Sequence, residues 1–297
     1  MTPAFLSALS NRVLLGDGAM GTELMKGGLA PGACPDEWNL THPDSVRAVT
    51  ASYVAAGADF VHTNTLSANR WTLEHYGLAG SLAAINASGV RTAREAAVGK
   101  TLVVAEIGPT GRYVAPLGAD PRQAFVDVFS EQAEAIAAAG ADAILLETFI
   151  SLDEALAAVE ACMRTGLPII ASMAYSRTAA GDYRTMMGNS VASCAAALTA
   201  AGASVISANC SMGPDGYAPL ARELCAASRL PVMVQPNAGM PQLVDGRTVF
   251  PMSPADFAAH MSGILAAGVR IIGGCCGTTP DHIRALRNLI NTRSGAG

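Results

Sequence analysis

The 297-residue sequence lacks any segment rich in basic residues, and charged residues of both signs make up only 14% of it. Its 19 Lys and Arg are outnumbered by 24 Asp and Glu, which gives a formal net charge of -5. Proteins that bind nucleic acids neutralise phosphates with clustered Lys and Arg. We therefore expect no nucleic acid partner, and favour a small molecule or another protein.

Two kinds of hydrophobic segment are also missing. The N-terminus lacks the basic start and the unbroken apolar run of a signal peptide. Elsewhere, no uncharged apolar run approaches the roughly 20 residues that span a bilayer. Seven cysteines are an odd number in a chain too large to need disulfides, which favours a reducing compartment. We therefore expect a soluble, cytoplasmic protein with free thiols and no membrane partner.

The 51% of hydrophobic residues is enough for a large core, and these residues are arranged in a repeating order. Short aliphatic runs alternate with longer Ala-rich stretches of helical period, which is typical of βα units around a parallel sheet. We predict eight helices and eight strands, the strands being Val13–Gly16, Asp59–Thr63, Leu102–Glu106, Ala143–Glu147, Pro168–Met173, Val205–Asn209, Val232–Gln235 and Arg270–Gly273.

The helix ends carry their own signals. A proline preceded by a capping residue marks three helix starts, at Pro43, Pro254 and Pro280. Four helices end in the phrase Ala-Ala-Gly, whose glycine can adopt the left-handed conformation that ends a helix. These phrases lie at 55–57, 138–140, 200–202 and 266–268.

Eight such units of about 37 residues fit a (β/α)8 TIM barrel. We predict one barrel domain over residues 1–297, with its core at about 12–290. An open doubly wound sheet is the alternative, but no GxGxxG follows the first strand and no change of composition divides the chain.

Polar residues follow most of the predicted strands, at the end of a barrel where active sites are built. In chain order they include Asp17, Asn64, Glu106, Glu147, Asn209, Cys210, Gln235, Asn237, Cys275 and Cys276.

Cys210, Cys275 and Cys276 are the cysteines at predicted strand ends. One strand separates the sixth from the eighth, so the three thiols can converge. Three thiolates suit Zn2+ and leave one coordination position open, as in catalytic sites. A buried thiol cluster or a disulfide between the adjacent cysteines are the alternatives. The glycines that flank the pair favour zinc, because they let two consecutive side chains reach one metal.

Five other residues at strand ends are candidates for substrate binding. Asp17 and Glu147 are suited to an ammonium group, although carboxylates there also form structural hydrogen bonds. Asn64, Asn209 and Asn237 either orient a substrate or cap loops.

The remaining chemistry-bearing residues have simpler interpretations. His62 alternates with apolar neighbours in a strand and is interpreted as a core histidine whose hydrogen bonds are satisfied. Cys162, Cys194 and Cys225 lie in helices beside apolar residues and are interpreted as small core residues. Cys34, in a loop rich in Gly and Pro, is unassigned.

The residues at the strand ends belong to six longer motifs. The motifs are DGAMGTEL (17–24), ADFVHTNT (58–65), ILLET (144–148), SANC (207–210), QPNAG (235–239) and GGCCGTTPDHI (273–283). Together they resemble the homocysteine S-methyltransferase family, from about residue 12 to about residue 290. The resemblance implies that Cys210, Cys275 and Cys276 bind zinc, and that Asp17 and Glu147 contact the amino group of homocysteine. It also places Gly18, Ala19 and Met20 at the substrate.

The family implies a zinc-dependent transfer of a methyl group to homocysteine to give methionine, but the motifs leave the donor open. Betaine is disfavoured, because Ser67 and Thr148 stand where the betaine enzymes have tyrosines. The strand-2 and strand-7 motifs are similar to the homocysteine module of cobalamin-dependent methionine synthase, but we expect no folate or cobalamin domain within these 297 residues. A sulfonium such as S-methylmethionine, or a partner protein carrying methyl-corrinoid or methyl-folate, would each supply the methyl group.

Two alternatives come from other functional classes. One is a zinc-independent barrel lyase or aldolase that uses Glu106 and Glu147 as acid and base. The other is a non-catalytic homocysteine- or thiol-binding subunit of a multi-component corrinoid methyltransferase. The sequence does not indicate an oligomeric state.

Overall fold

The computed structural model describes residues 3–244 and 247–294, and in them eight parallel strands form a nearly closed barrel. The predicted TIM barrel is confirmed, with each strand within two residues of its predicted ends. The strands are β1 Leu14–Leu15, β2 Phe60–His62, β3 Leu102–Ile107, β4 Ala143–Phe149, β5 Ile169–Met173, β6 Val205–Asn209, β7 Val232–Gln235 and β8 Ile271–Ile272.

The strands pair in the order β1-β8-β7-β6-β5-β4-β3-β2. Between the two ends of that order, Asp59 joins β1 to the start of β2. Its backbone N–H donates to Leu15 O at 2.7 Å, and its Oδ2 accepts from the Leu15 N–H at 2.8 Å. These two hydrogen bonds link β1 to the start of β2, although the two strands do not pair with each other in the sheet.

In the described residues, eight helices cover the barrel as predicted, one after each strand, and four shorter helices were not predicted. One of the short helices precedes β1, and the others lie in the loops after β1 and β2. The helices are α1 Ala4–Asn11, α2 Met20–Lys26, α3 Trp38–Thr41, α4 Pro43–Ala55, α5 Arg70–Glu74, α6 Leu82–Ala96, α7 Arg122–Ala138, α8 Leu152–Met163, α9 Val191–Ala201, α10 Pro214–Ala227, α11 Pro254–Ala266 and α12 Pro280–Ser294, with a 3-10 turn at Ala79–Ser81.

The predicted proline and glycine signals are confirmed, but the predicted cap before Pro43 is wrong, because the His42 side chain makes no capping hydrogen bond. Prolines 43, 254 and 280 are the first residues of α4, α11 and α12. The glycine of each Ala-Ala-Gly phrase has a positive φ, from 88° to 108°. Each therefore ends its helix in the left-handed region and turns the chain toward the next strand.

The barrel interior has an apolar floor beneath a polar layer. Helix α1 closes the lower end, where Phe5 packs edge-on against Phe60 with ring centroids 5.6 Å apart. Because side chains alternate along a strand, the residue two positions further on faces the same interior. In six strands, the residue two positions after an apolar floor residue is polar and buried. These polar residues are His62, Glu106, Glu147, Ser172, Ser207 and Gln235.

Two hairpins that the sequence analysis did not predict extend the loops after β5 and β7. They pair Ser176–Arg177 with Tyr183–Arg184, and Gln242–Val244 with Arg247–Val249. Both belong to the face of the barrel at which the strands end. Within the described parts of the chain, no helix has the length and apolar character needed to cross a membrane.

Candidate active site

Three thiols meet at the carboxyl ends of β6 and β8. The Sγ atoms of Cys210, Cys275 and Cys276 all lie within 4.8 Å of one another, and each residue is half-buried. Across residues 3–244 and 247–294, no other group of His, Cys, Asp or Glu is arranged to hold a metal ion. Cys275 and Cys276 are free thiols with their sulfurs 4.0 Å apart, so this structure contains no disulfide between them.

The backbone around the thiols adopts conformations that neighbouring groups must stabilise. Cys210 has a φ of 59°, in the left-handed region that residues with a side chain rarely adopt. Its N–H donates to Gln235 O at 3.0 Å, and its carbonyl accepts from the Tyr217 hydroxyl at 2.8 Å. On the other side, a Cβ on Gly274 would lie 2.4 Å from Thr278 Oγ1, so glycine is required before the cysteine pair.

Hydrogen bonds among the three cysteines shift their pKa values in opposite directions. Donation from Cys275 and Cys276 holds the pKa of Cys210 far below its usual range, and the Asn237 side chain adds a further hydrogen bond. The same contacts with Cys210 raise the pKa of Cys275 and bring that of Cys276 to about 12. One thiolate is therefore held by two thiols, and the three sulfurs form a donor set that fits Zn2+.

Two buried carboxylates contact His62 of β2, Asp17 after β1 and Glu106 in β3, and a third, Glu147 in β4, acts on it through its charge. Asp17 Oδ1 lies 2.5 Å from His62 Nδ1, and Glu106 Oε1 lies 3.5 Å from it. Asp17 Oδ2 also accepts the His62 backbone N–H at 2.9 Å. Burial lowers the pKa of His62, but Asp17 and Glu147 outweigh this effect and raise it overall. The predicted burial of His62 is confirmed, but the expectation that its hydrogen bonds are satisfied is wrong for Nε2, which has no partner among the described residues.

Each of the two glutamates affects the ionisation of the other. Burial raises the pKa of Glu147 to about 7, and burial together with the nearby Glu147 raises that of Glu106 well above its usual range. The contact between the two side chains raises the pKa of Glu106 further, whereas it lowers that of Glu147 and so opposes the effect of burial there. An excess of carboxylates in a pocket with little water is suited to a substrate ammonium, whose charge would favour their ionised forms.

Asn209 joins the carboxylates to the thiols. Its Nδ2 lies 3.1 Å from Glu147 Oε1 and 3.7 Å from Cys275 Sγ. Asn237 also belongs to this region, through its contact with Cys210. Asn64 does not, because its Nδ2 donates to Pro35 O at 2.7 Å and to Asn39 Oδ1 at 3.1 Å, within the loops over β2.

The segment after β1 is fixed beside the cysteine loop through Thr278. The Ala19 N–H donates to Thr278 Oγ1 at 3.1 Å, and the Tyr53 hydroxyl donates to Ala19 O at 2.9 Å. A Cβ on Gly18 would lie 2.7 Å from Thr278 Oγ1, so only glycine allows this approach. The Met20 side chain packs in a small apolar cluster with Leu24, Leu29 and Val46 instead of among the polar site residues.

The four other cysteines lie outside the site. Cys162 and Cys194 are fully buried in the core and Cys225 packs against it, which confirms their interpretation as small core residues. Cys34 is also buried, and its thiol contacts Asp36 Oδ2 at 3.8 Å. Burial raises the pKa of Cys34 to about 11, which makes this thiol a poor nucleophile.

Several buried polar atoms near the thiols and carboxylates lack a hydrogen-bond partner in the part of the chain that the structure describes. They are His62 Nε2, Ser207 Oγ, Asn237 Oδ1 and both amide atoms of Gln235. Such atoms are costly to bury alone and indicate a polar ligand or ordered water. The sequence analysis assigned no role to Ser207 or Gln235, although the two-residue period of their strands places both on the inner face.

Comparison with known proteins agrees with this geometry. The sequence family described as homocysteine S-methyltransferase matches residues 14–290. Methionine synthases of Mycobacterium tuberculosis and Mycobacterium leprae are 34% and 33% identical to the chain over 300 residues, covering 95% of it. The chain spans only about a quarter of the length of these two relatives, 25% and 24% respectively.

Solved structures show the same fold. The metallated form of the homocysteine methyltransferase MmuM from Escherichia coli matches with a TM-score of 0.80 and 25% identity, covering 96% of this chain and 99% of MmuM. A putative phosphonomutase from Burkholderia cenocepacia has a TM-score of 0.51 at 18% identity and covers 99% of this chain and 98% of its own, so it shares the fold alone. Because the family match extends from β1 into α12, the chain belongs to the homocysteine S-methyltransferase family.

Proposed function

We propose that this protein is a zinc-dependent enzyme that methylates the sulfur of homocysteine and releases methionine. One observation carries the proposal: three converging thiols adjoin a buried group of carboxylates. Homocysteine has a thiol at one end and an ammonium at the other. A metal site for the sulfur beside an acidic site for the amine therefore matches both ends of one small molecule.

Cys210, Cys275 and Cys276 are the residues that would hold zinc. Three protein ligands leave a fourth position open for the substrate sulfur. When bound, zinc lowers the pKa of a coordinated thiol, so that homocysteine is a thiolate at neutral pH. The half-buried position of the cysteines keeps the site accessible to a methyl donor from the open end of the barrel.

Asp17 and Glu147 would hold the substrate ammonium. They are 1% and 6% exposed, and ion pairs are stronger where water is excluded. His62 would orient Asp17 through their contact at 2.5 Å, and Glu106 would orient the neighbouring Glu147. With the amine fixed, the sulfur is presented in one orientation, and positioning of this kind lowers the barrier to methyl transfer.

The chemical step needs no covalent intermediate with the protein. The substrate sulfur forms a bond to the methyl carbon as the bond between that carbon and the donor breaks, and the bonding electron pair leaves with the donor. We consider two donor classes, a small sulfonium and a methyl group on a separate corrinoid or folate protein. Betaine is disfavoured by Ser67 and Thr148.

The cytoplasm is the proposed location. All seven cysteines are free thiols in this structure, and a reducing compartment maintains them in that state.

Metal analysis and a donor screen test the proposal. We expect about one zinc per chain and methionine formation from homocysteine with either S-methylmethionine or a methylated corrinoid protein. Turnover with the corrinoid protein alone would identify a partner-dependent enzyme. Homocysteine binding without turnover by any donor would identify a binding subunit instead, and zinc-free protein with full activity would contradict the metal assignment.

A further inference from the structure

The side chain of Asn209 has no hydrogen-bonding capacity left for a substrate. It is fully buried, and its Oδ1 accepts from the Thr148 N–H at 3.0 Å and from Ser172 Oγ at 2.7 Å. Its Nδ2 lies 2.6 Å from Thr148 Oγ1, 3.1 Å from Glu147 Oε1 and 3.7 Å from Cys275 Sγ. Two lone pairs and two N–H groups are all that an amide offers, and protein atoms occupy them.

The backbone on both sides of this amide is strained. Thr148 has a φ of 61°, which is an outlier for a β-branched residue, and Asn209 binds both its N–H and its hydroxyl. Cys210, the next residue after Asn209, has a φ of 59°. Such conformations persist only where several neighbouring contacts enforce them, and they concentrate at functional sites. Here the two strained residues flank the groups that Asn209 holds, because Thr148 directly follows Glu147 and Cys210 directly follows Asn209.

We propose that Asn209 is a positioning residue that sets the distance between the amine-binding carboxylate and the thiol-binding cysteines, and so selects the length of the amino acid thiol. The proposal rests on the function proposed above. One nitrogen atom contacts both Glu147 and Cys275, so the separation of the two subsites is fixed by a single rigid amide.

Chain length is the property that this arrangement can recognise. Cysteine has the same thiol, ammonium and carboxylate as homocysteine but one methylene fewer between the sulfur and the α-carbon. A methylene changes the reach of the molecule by roughly 1.5 Å, the length of a C–C bond. With both subsites held in place, cysteine can satisfy only one of them at a time, whereas relaxed subsites can approach each other and accept it.

Equilibrium binding tests this without knowledge of the methyl donor. Zinc-loaded wild-type protein and Asn209→Ala are titrated with homocysteine, cysteine and 1-propanethiol, which has no amine. We expect the wild type to bind homocysteine at least tenfold more tightly than cysteine, a discrimination in the range that one methylene supports. In Asn209→Ala this ratio should fall about tenfold, while 1-propanethiol affinity and the zinc content stay within twofold.

Two further variants control for folding. Ser172→Ala removes one hydrogen bond to Asn209 Oδ1 and should lower the same ratio less, which keeps the test available if Asn209→Ala does not fold. Asn86→Ala removes an equally buried asparagine whose bonds to Ala68 O and Leu82 O lie outside the site, and should leave the ratio unchanged.

The outcomes separate the two proposals. An unchanged ratio in both Asn209→Ala and Ser172→Ala overturns the positioning role, whether or not the affinities fall. An equal loss for all three thiols also overturns it, because it would assign Asn209 to the metal site alone. If zinc-loaded wild type binds no homocysteine, the proposed function fails first, and that failure is visible in the wild-type titration.

Discussion

Replacing Glu147 by glutamine should separate recognition of the amine from recognition of the thiol. The substitution keeps the shape of the side chain, and the amide oxygen can still accept from Asn209 Nδ2. It removes the negative charge that would face the substrate ammonium. We expect homocysteine to bind more weakly to Glu147→Gln, while 1-propanethiol binds as it does to the wild type.

The size of the effect follows from burial and charge. Hydrogen bonds that involve a charged group contribute about 1.5–3 kcal/mol. Glu147 is 6% exposed, so water cannot easily replace the lost contact, and the upper half of that range applies. Homocysteine affinity should therefore fall by roughly 45- to 150-fold. Because the pKa of Glu147 is about 7, wild-type affinity should also rise as the pH increases through 7, and this rise should be smaller in the variant.

The same shift predicts an effect on stability in the metal-free protein without substrate. The pKa of Glu147 rises on folding from its ordinary value of 4.5 to about 7. The contribution of Glu147 to the free energy of unfolding is therefore fully present below about pH 4.5, where the side chain is protonated in both states. This contribution is lost as the pH rises through 7. Above pH 7 the variant avoids burying a carboxylate, so its free energy of unfolding should decrease less with pH than that of the wild type, by on the order of 1–3 kcal/mol.

Calorimetric titration and urea unfolding at pH 6 and pH 8 measure these quantities. Glu154→Gln is the matched control for binding, because Glu154 is equally buried but bonds to Thr110 at 2.7 Å outside the site. It should leave both affinities unchanged. Equal weakening of homocysteine and 1-propanethiol binding by Glu147→Gln would refute the reasoning and assign Glu147 a structural role.

Three other outcomes follow from the same site. Cys276→Ser should lose most bound zinc, measured by elemental analysis, with little change in the urea midpoint, because the barrel core and not the metal provides the stability; full zinc retention would contradict the donor set. Zinc affinity should increase with pH between 6 and 8, since the pKa of Cys276 is about 12 and metal binding must displace its proton; a pH-independent affinity would argue against thiolate ligation. Homocysteine binding to the zinc form should release about one proton near pH 7, measured in two buffers of different ionisation enthalpy, and near-zero release with undiminished binding in Cys210→Ala would exclude the zinc-thiolate mechanism.

The barrel was predictable from sequence because its signals are local. Strand and helix periods, Pro at helix starts and Gly at helix ends each act within a few residues, so the sequence alone predicts a left-handed conformation for Gly57 and Gly202. The four-residue helix α3, by contrast, is held by contacts with residues distant in sequence. Asn39, for example, lies in α3 and donates to Asn64 O at 2.6 Å and Ile85 O at 3.2 Å, which no local pattern indicates.

The site was predictable in part, for the same reason. Its position at the strand ends follows from the fold, and the cysteines were recognisable by residue type. The roles of the asparagines were not. Asn64, Asn209 and Asn237 have similar positions in the sequence pattern, yet the structure directs the first into a loop network, the second between two subsites and the third toward Cys210. Which acceptor an amide meets depends on loops that are distant in sequence.

The apolar floor below the polar layer explains how the barrel can hold several buried carboxylates whose ionisation is unfavourable. Val104 and Leu145 belong to the apolar floor, while Glu106 and Glu147, two residues further along the same strands, face the site. The floor fixes the strands by close packing, so the carboxylates above it keep their positions even though their pKa values show that ionising them is unfavourable. Binding of an ammonium would favour the ionised forms of these carboxylates. The favourable electrostatic contribution would therefore arise in the complex with substrate and not in the free protein.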